Sequence, residues 1–145
     1  MKTIITHSAS ETQKVAEAVL SSLQHRNILA LHGDLGGGKT TFSQGIGKAL
    51  GINQKMISPT FILVRQYELE KIKSKSHFAK LYHIDLYRIQ RSEEIIDLGI
   101  LDFAKDSTNL LLIEWAEKMG EYLSDRRVDV RFEYIAENDR KIEIT

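Results

Sequence analysis

Residues 33–40 read Gly-Asp-Leu-Gly-Gly-Gly-Lys-Thr, a complete G-x-x-x-x-G-K-[ST] loop, which restricts the folds open to this chain more than any other segment. An apolar run, Ile28 to Leu31, precedes it, and an amphipathic stretch, Thr41 to Leu50, follows. The pattern predicts strand, loop and helix in succession, the context in which such a loop can wrap a phosphate. Glycines let the backbone curl so that successive N–H groups point at phosphate oxygens. The helix opening at Thr40 adds roughly half a positive charge at its N-terminus. Lys39 can reach the β- and γ-phosphates of a nucleotide, and the Thr40 hydroxyl can ligate Mg²⁺. A glycine-rich turn with an incidental Lys-Thr would lack these flanks, so nucleotide binding is the expectation.

The 145 residues are most simply one nucleotide-binding domain, 1–145, large enough to bury about two-thirds of its unfolded surface. Twenty basic and twenty acidic residues give no net charge, hence no global electrostatic footprint for nucleic acid, and DNA is not an expected partner. Without cysteine, disulfides, thiolate zinc sites and Cys nucleophiles are excluded, which fits a cytoplasmic location. The first residues, Met1 to His7, are too short and polar for a signal peptide. No apolar run approaches the ~20 residues that span a membrane.

Along the chain, Ile4 and Ile5 predict a short strand, and Ser8 or Ser10 a cap for a helix reaching about His25, with Val15, Ala18, Val19 and Leu23 buried. Strand Ile28–His32, the loop and helix Thr41–Leu50 follow, with Gly51 at the helix end. Phe61–Leu69 and Phe78–Leu86 read as an antiparallel pair joined by a polar link, Glu70 to His77. Ser92 to Ala104 reads as one or two helices broken at Gly99, and Leu110–Glu114 as a buried central strand. A short helix near Glu117–Tyr122 and a hairpin of Val128–Ile135 with Lys141–Ile144 about Asn138-Asp139 complete the order. The expected class is α/β, a P-loop NTPase-like mixed β-sheet with flanking helices. The basic stretch Lys71, Lys73, Lys75, His77, Lys80 reads as a solvated loop, with a partner or RNA contact as the alternative.

Hydrolysis or transfer needs acids beside the phosphates. Two apolar strands end in carboxylates, Asp85 and Glu114, and in a mononucleotide-binding sheet ligands sit at the carboxyl ends of strands. Either acid can face Mg²⁺ there, directly or through its waters. Ser58-Pro59-Thr60 contains the only proline, which stiffens the loop presenting Thr60. Thr60 can ligate Mg²⁺ or contact the γ-phosphate as a switch segment does, or simply start a strand. Trp115, the only tryptophan, packs in the core or lies beside the nucleotide. His83 shares a strand face with Asp85 and reads as a hydrogen-bonded structural histidine; His7, His25, His32 and His77 lack metal-ligand spacing.

With these motifs in hand, the chain resembles the TsaE (YjeE) family of bacterial ATPases of tRNA threonylcarbamoyladenosine biosynthesis. The resemblance rests on Gly33-Asp34-Leu35-Gly36-Gly37-Gly38-Lys39-Thr40-Thr41, Ser58-Pro59-Thr60-Phe61, His83-Ile84-Asp85-Leu86-Tyr87-Arg88 and Ile113-Glu114-Trp115, in family order and spacing. Glu93-Glu94 and Asp97-Leu98-Gly99 also fit. It implies that residues 33–41 bind ATP, that Lys39 binds its phosphates, that Thr40 and Glu114 hold Mg²⁺, and that Asp85 assists hydrolysis. It further implies that Thr60 belongs to a switch-like segment and that Thr12 lies near the base. The implied partners are the transferase TsaD with its companion TsaB, with ATP hydrolysis supporting repeated turnover on tRNA; direct contact with tRNA stays open. Gly37 stands where the family usually has Ala, and Ala116 where Pro commonly follows Glu-Trp. The alternatives are a small-molecule P-loop kinase and a GTP-dependent switch protein. No lid-sized insertion and no Asn/Thr-Lys-x-Asp guanine signature appears for either.

Overall fold

The computed structural model describes residues 1–34, 36–53, 56, 63–70 and 76–145. Leu35, Ser58-Pro59-Thr60, Phe61 and the lysines at 71, 73 and 75 lie outside the described residues, and with them the switch-like loop and most of the basic stretch. The elements are β1 (Lys2–Thr6), α1 (Ala9–Ser21), β2 (Ile28–His32), α2 (Lys39–Ala49), β3 (Val64–Glu68) and β4 (Lys80–Asp85). Two short helices, α3 (Glu94–Asp97) and α4 (Ile100–Lys105), lead to β5 (Asn109–Glu114), a 3₁₀ segment (Ala116–Tyr122), β6 (Arg127–Tyr134) and β7 (Arg140–Ile144).

The strands form one seven-stranded sheet in the order β1-β7-β6-β2-β5-β4-β3. The four inner strands run parallel, β6 with β2, β2 with β5, and β5 with β4. The outer pairings, β1–β7, β6–β7 and β3–β4, are antiparallel. Every residue of β2 and β5 is buried, as strands covered on both faces require. Leu29, Leu31, Leu110 and Leu112 pack with Phe42 and Ile46 of α2 on one face, and Ala30, Leu111 and Ile113 with Ile95, Ile100 and Met119 on the other. This is the mixed α/β class expected.

Two details of the first helix differ from expectation. It ends at Ser21, not near His25; Ser22 caps it and Gln24 adopts a left-handed φ of 57°. Its buried stripe is Thr12, Ala16 and Val19, continued by Leu23, while Ala18 is exposed. The stripe is set by polar Thr12, whose hydroxyl bonds Thr6 at 2.8 Å, so apolar residues alone misplace the face by part of a turn. The break at Gly99 stands, with φ 77° between α3 and α4. The hairpin turn closes through the Asp139 amide donating to the Ala136 carbonyl at 3.1 Å.

A candidate nucleotide site at the carboxyl ends of the central strands

Burial holds β2 at the sheet centre, and its last residue, His32, delivers the chain into the glycine loop. Gly33 takes φ 134°, and a Cβ there would stand 2.6 Å from the Phe132 carbonyl oxygen of β6, so no side chain fits. Gly38 caps α2 at φ 109° and brings no side chain to satisfy the first-turn N–H groups, which have no partner within the helix. Those groups and the positive end of α2 therefore face the loop interior.

Lys39, Thr40 and Thr41 of the first turn, with Gly36 and Gly38, line one side of a cavity of about 380 Å³. Asp85 and Glu114, the last residues of β4 and β5, line it from the adjacent strands, and the two are register partners. Tyr87, Trp115 and Arg140 complete it. Lys39, Thr40, Thr41, Asp85 and Glu114, far apart in sequence, thus meet around one space because β2, β5 and β4 are parallel neighbours.

The charges in this cavity are held closely. The Lys39 ammonium donates to the Gly33 carbonyl and lies 3.7 Å from the centroid of the Trp115 ring. Burial pushes its pKa below the ordinary value, against the opposing pull of Glu114, Glu117, Asp85 and Asp34. Both acids are almost wholly buried, at 2% exposure for Asp85 and 3% for Glu114. Asp85 Oδ1 accepts from the Tyr87 amide at 3.0 Å, and Glu114 Oε2 accepts from His83 Nε2 at 2.6 Å. Beyond the loop, His32 sits between Asp129 at 2.8 Å and Glu117 at 3.2 Å. Burial raises the Glu117 pKa, but the hydrogen bond from His32 and the nearby charges of His32 and Lys39 outweigh it and leave the carboxyl below its ordinary value.

A smaller cavity of about 130 Å³ adjoins the first, sharing Gly38, Thr41 and Arg140 with it. Ser8, Ala9 and Thr12 of the α1 start form one wall, and Glu137 and Asn138 of the hairpin turn another. Arg140 stands between the two spaces. It donates from Nε to the Gly36 carbonyl at 3.0 Å and from one terminal nitrogen to the carbonyls of Ala136, Glu137 and Asp139, and its guanidinium lies 4.6 Å from the Tyr134 ring centroid.

The expected site residues that are described all line these two spaces, save Gly33, Asp34 and Gly37, which belong to the loop itself. Trp115 does both: half-buried, it packs against the core on one side and lines the cavity on the other, held in a left-handed conformation at φ 60°. Tyr87 and Arg140 were not singled out from the sequence. Tyr87 follows the strand-end acid by two residues, a usable signal, whereas Arg140 reaches the loop only because β7 runs beside β6 and carries no local motif. Among the described residues no group of three or more His, Cys, Asp or Glu forms a metal cage.

Comparison with known proteins identifies the family. The family model described as "Threonylcarbamoyl adenosine biosynthesis protein TsaE" matches residues 6–142. The tRNA threonylcarbamoyladenosine biosynthesis protein TsaE of Rickettsia felis is 39% identical over 138 residues, covering 94% of this chain and 75% of the relative. Its counterpart in Bacillus subtilis is 33% identical over 140 residues, covering 97% and 82%. A crystal structure of Bacillus subtilis YdiB superposes with a TM-score of 0.72 at 26% identity, over 97% of this chain and 82% of that one. The fold is thus P-loop NTPase-like, and the chain belongs to the TsaE family of threonylcarbamoyl adenosine biosynthesis proteins.

Proposed function

We propose that this chain is an ATPase that supports formation of threonylcarbamoyladenosine on tRNA in the cytoplasm, acting through a TsaD–TsaB transferase complex. Its family is that of threonylcarbamoyl adenosine biosynthesis. The observation that carries the ATPase reading is the convergence of Lys39, Thr40, Asp85 and Glu114 on one cavity at the positive end of α2.

In this reading the glycine loop and the first turn of α2 cradle the phosphates, and Lys39 draws charge from the β- and γ-oxygens. The neighbouring cavity beside Thr12 takes the nucleoside end, and Arg140 orders the loop between the two spaces through its bond to Gly36. Mg²⁺ prefers hard oxygen donors and commonly takes one or two protein ligands plus substrate phosphates. A threonine hydroxyl and a buried carboxylate facing the same space fit that demand, so Thr40 and Glu114 would hold the ion. When bound, Mg²⁺ supplies neutralisation of charge on the phosphate oxygens. Asp85, fixed by the Tyr87 amide, orients the attacking water from the next strand. By the family resemblance, Thr60 would contact the γ-phosphate.

Calorimetry with ATP and with GTP, followed by phosphate-release assays with and without the partner proteins, tests this reading. ATP is expected to bind in preference to GTP and to be hydrolysed slowly by the isolated chain. Equal affinity for GTP, or phosphate appearing on a small acceptor, would overturn it.

A further inference from the structure

We infer that His83 is a positioning residue that fixes one oxygen of Glu114 so that the other is presented to the cation. The inference rests on the metal role proposed above. Strand alternation places His83 and Asp85 on one face of β4, and β4 and β5 run parallel with Asp85 opposite Glu114. Two carboxylates therefore stand side by side on neighbouring strands, and each needs a donor of its own. Asp85 has the Tyr87 amide; Glu114 has the imidazole, at 2.6 Å.

The imidazole is buried completely, and its bond to Glu114 is buried with it. An ionised carboxylate only accepts, so Nε2 is the donor in this bond. Nδ1 is buried with no hydrogen-bond partner among the described residues. An imidazole that leaves one nitrogen idle in the interior is a costly packing element. Its one polar bond goes to Glu114, so its chemical effect falls on that carboxylate. With Oε2 engaged, Oε1 remains for the cavity. A glutamate side chain otherwise turns freely at its last torsion, and a short charge-assisted bond removes that freedom. Partners behind a metal ligand act in this way, by orienting it.

The experiment compares His83→Gln, His83→Asn and His83→Leu by calorimetric titration of Mg²⁺ into the ADP-bound full chain, with ADP affinity in excess chelator and thermal melting as controls. The Gln amide nitrogen reaches about where Nε2 stands; the Asn amide is one carbon short, and Leu has no donor. His83→Gln is expected to keep Mg²⁺ affinity within about threefold of the parent, while His83→Asn and His83→Leu lose about tenfold or more. Chelated ADP affinity should be unchanged in all three. Because Leu strips a buried carboxylate of its donor and can unfold the sheet, the Gln–Asn contrast decides the matter on its own. Equal Mg²⁺ affinity in parent and Asn variant, or equal losses for Gln and Asn, would overturn the inference while leaving the ATPase reading intact. A parent chain whose nucleotide binding ignores Mg²⁺ altogether would overturn both.

Discussion

Lys39 concentrates the electrostatics of the site: it is the cation among four acids, its ammonium already drawn towards the loop carbonyl and the Trp115 ring. Replacing it by Ala removes charge-assisted bonds to phosphate, each about 1.5–3 kcal/mol, so ATP affinity should fall on the order of 10- to 100-fold by calorimetry. Glu114→Gln keeps the volume and an acceptor for His83 but loses the charge. It should bind ATP almost normally and lose Mg²⁺-dependent phosphate release by on the order of a hundredfold. Normal turnover in that variant would move the metal ligand to Asp85. At the far rim, His7 Nδ1 lies 2.9 Å from Asp139 Oδ1, and that hydrogen bond and the aspartate charge raise the His7 pKa above 6.5. A raised histidine contributes stability that is complete below its unfolded value and disappears as pH climbs through the folded one. Melting curves from acid to mildly alkaline pH should therefore show a small loss above about pH 6.5 that His7→Ala abolishes.

At the scale of elements, α1 and α2 pack closely enough that a Cβ on Gly45 would stand 2.8 Å from the Gln13 Cα and 2.9 Å from the Ala16 Cβ. Backbone is the obstacle there, so the helices must part. Gly45→Ala gains helix propensity yet overpacks the contact, and a net loss of about 1–2 kcal/mol is expected, read as a drop of about 2–8 °C in melting temperature. Most elements were readable because their signals are local: the apolar runs of β2 and β5, the break at Gly99, the turn between β6 and β7. The buried face of α1 was not, since its stripe begins with Thr12, a polar residue satisfied by Thr6 from another element. The site divides along the same line. Lys39, Thr40, Asp85 and Glu114 lie at element ends that sequence marks. The His83–Glu114 bond and the approach of Arg140 to Gly36 depend on strand register and strand order, which no short stretch of sequence encodes.

For the whole molecule, Asp85 and Glu114 end two adjacent parallel strands, so backbone pairing fixes their spacing, and Lys39 opens the helix that follows the third strand, β2. Arg140 is the arginine lining the main cavity, and its guanidinium is already engaged by loop and turn carbonyls. Among the described residues no second arginine lines this cavity, and the rate of hydrolysis should rise when the transferase complex is added. Phosphate release that is fast in the isolated chain and indifferent to the partners would contradict this. The placement of Trp115 has a practical consequence: the sole indole of the protein rests on the lysine proposed to meet the terminal phosphates. Its emission is therefore a built-in optical gauge of occupancy, one that should shift with saturating ATP and give binding and release rates without any attached dye.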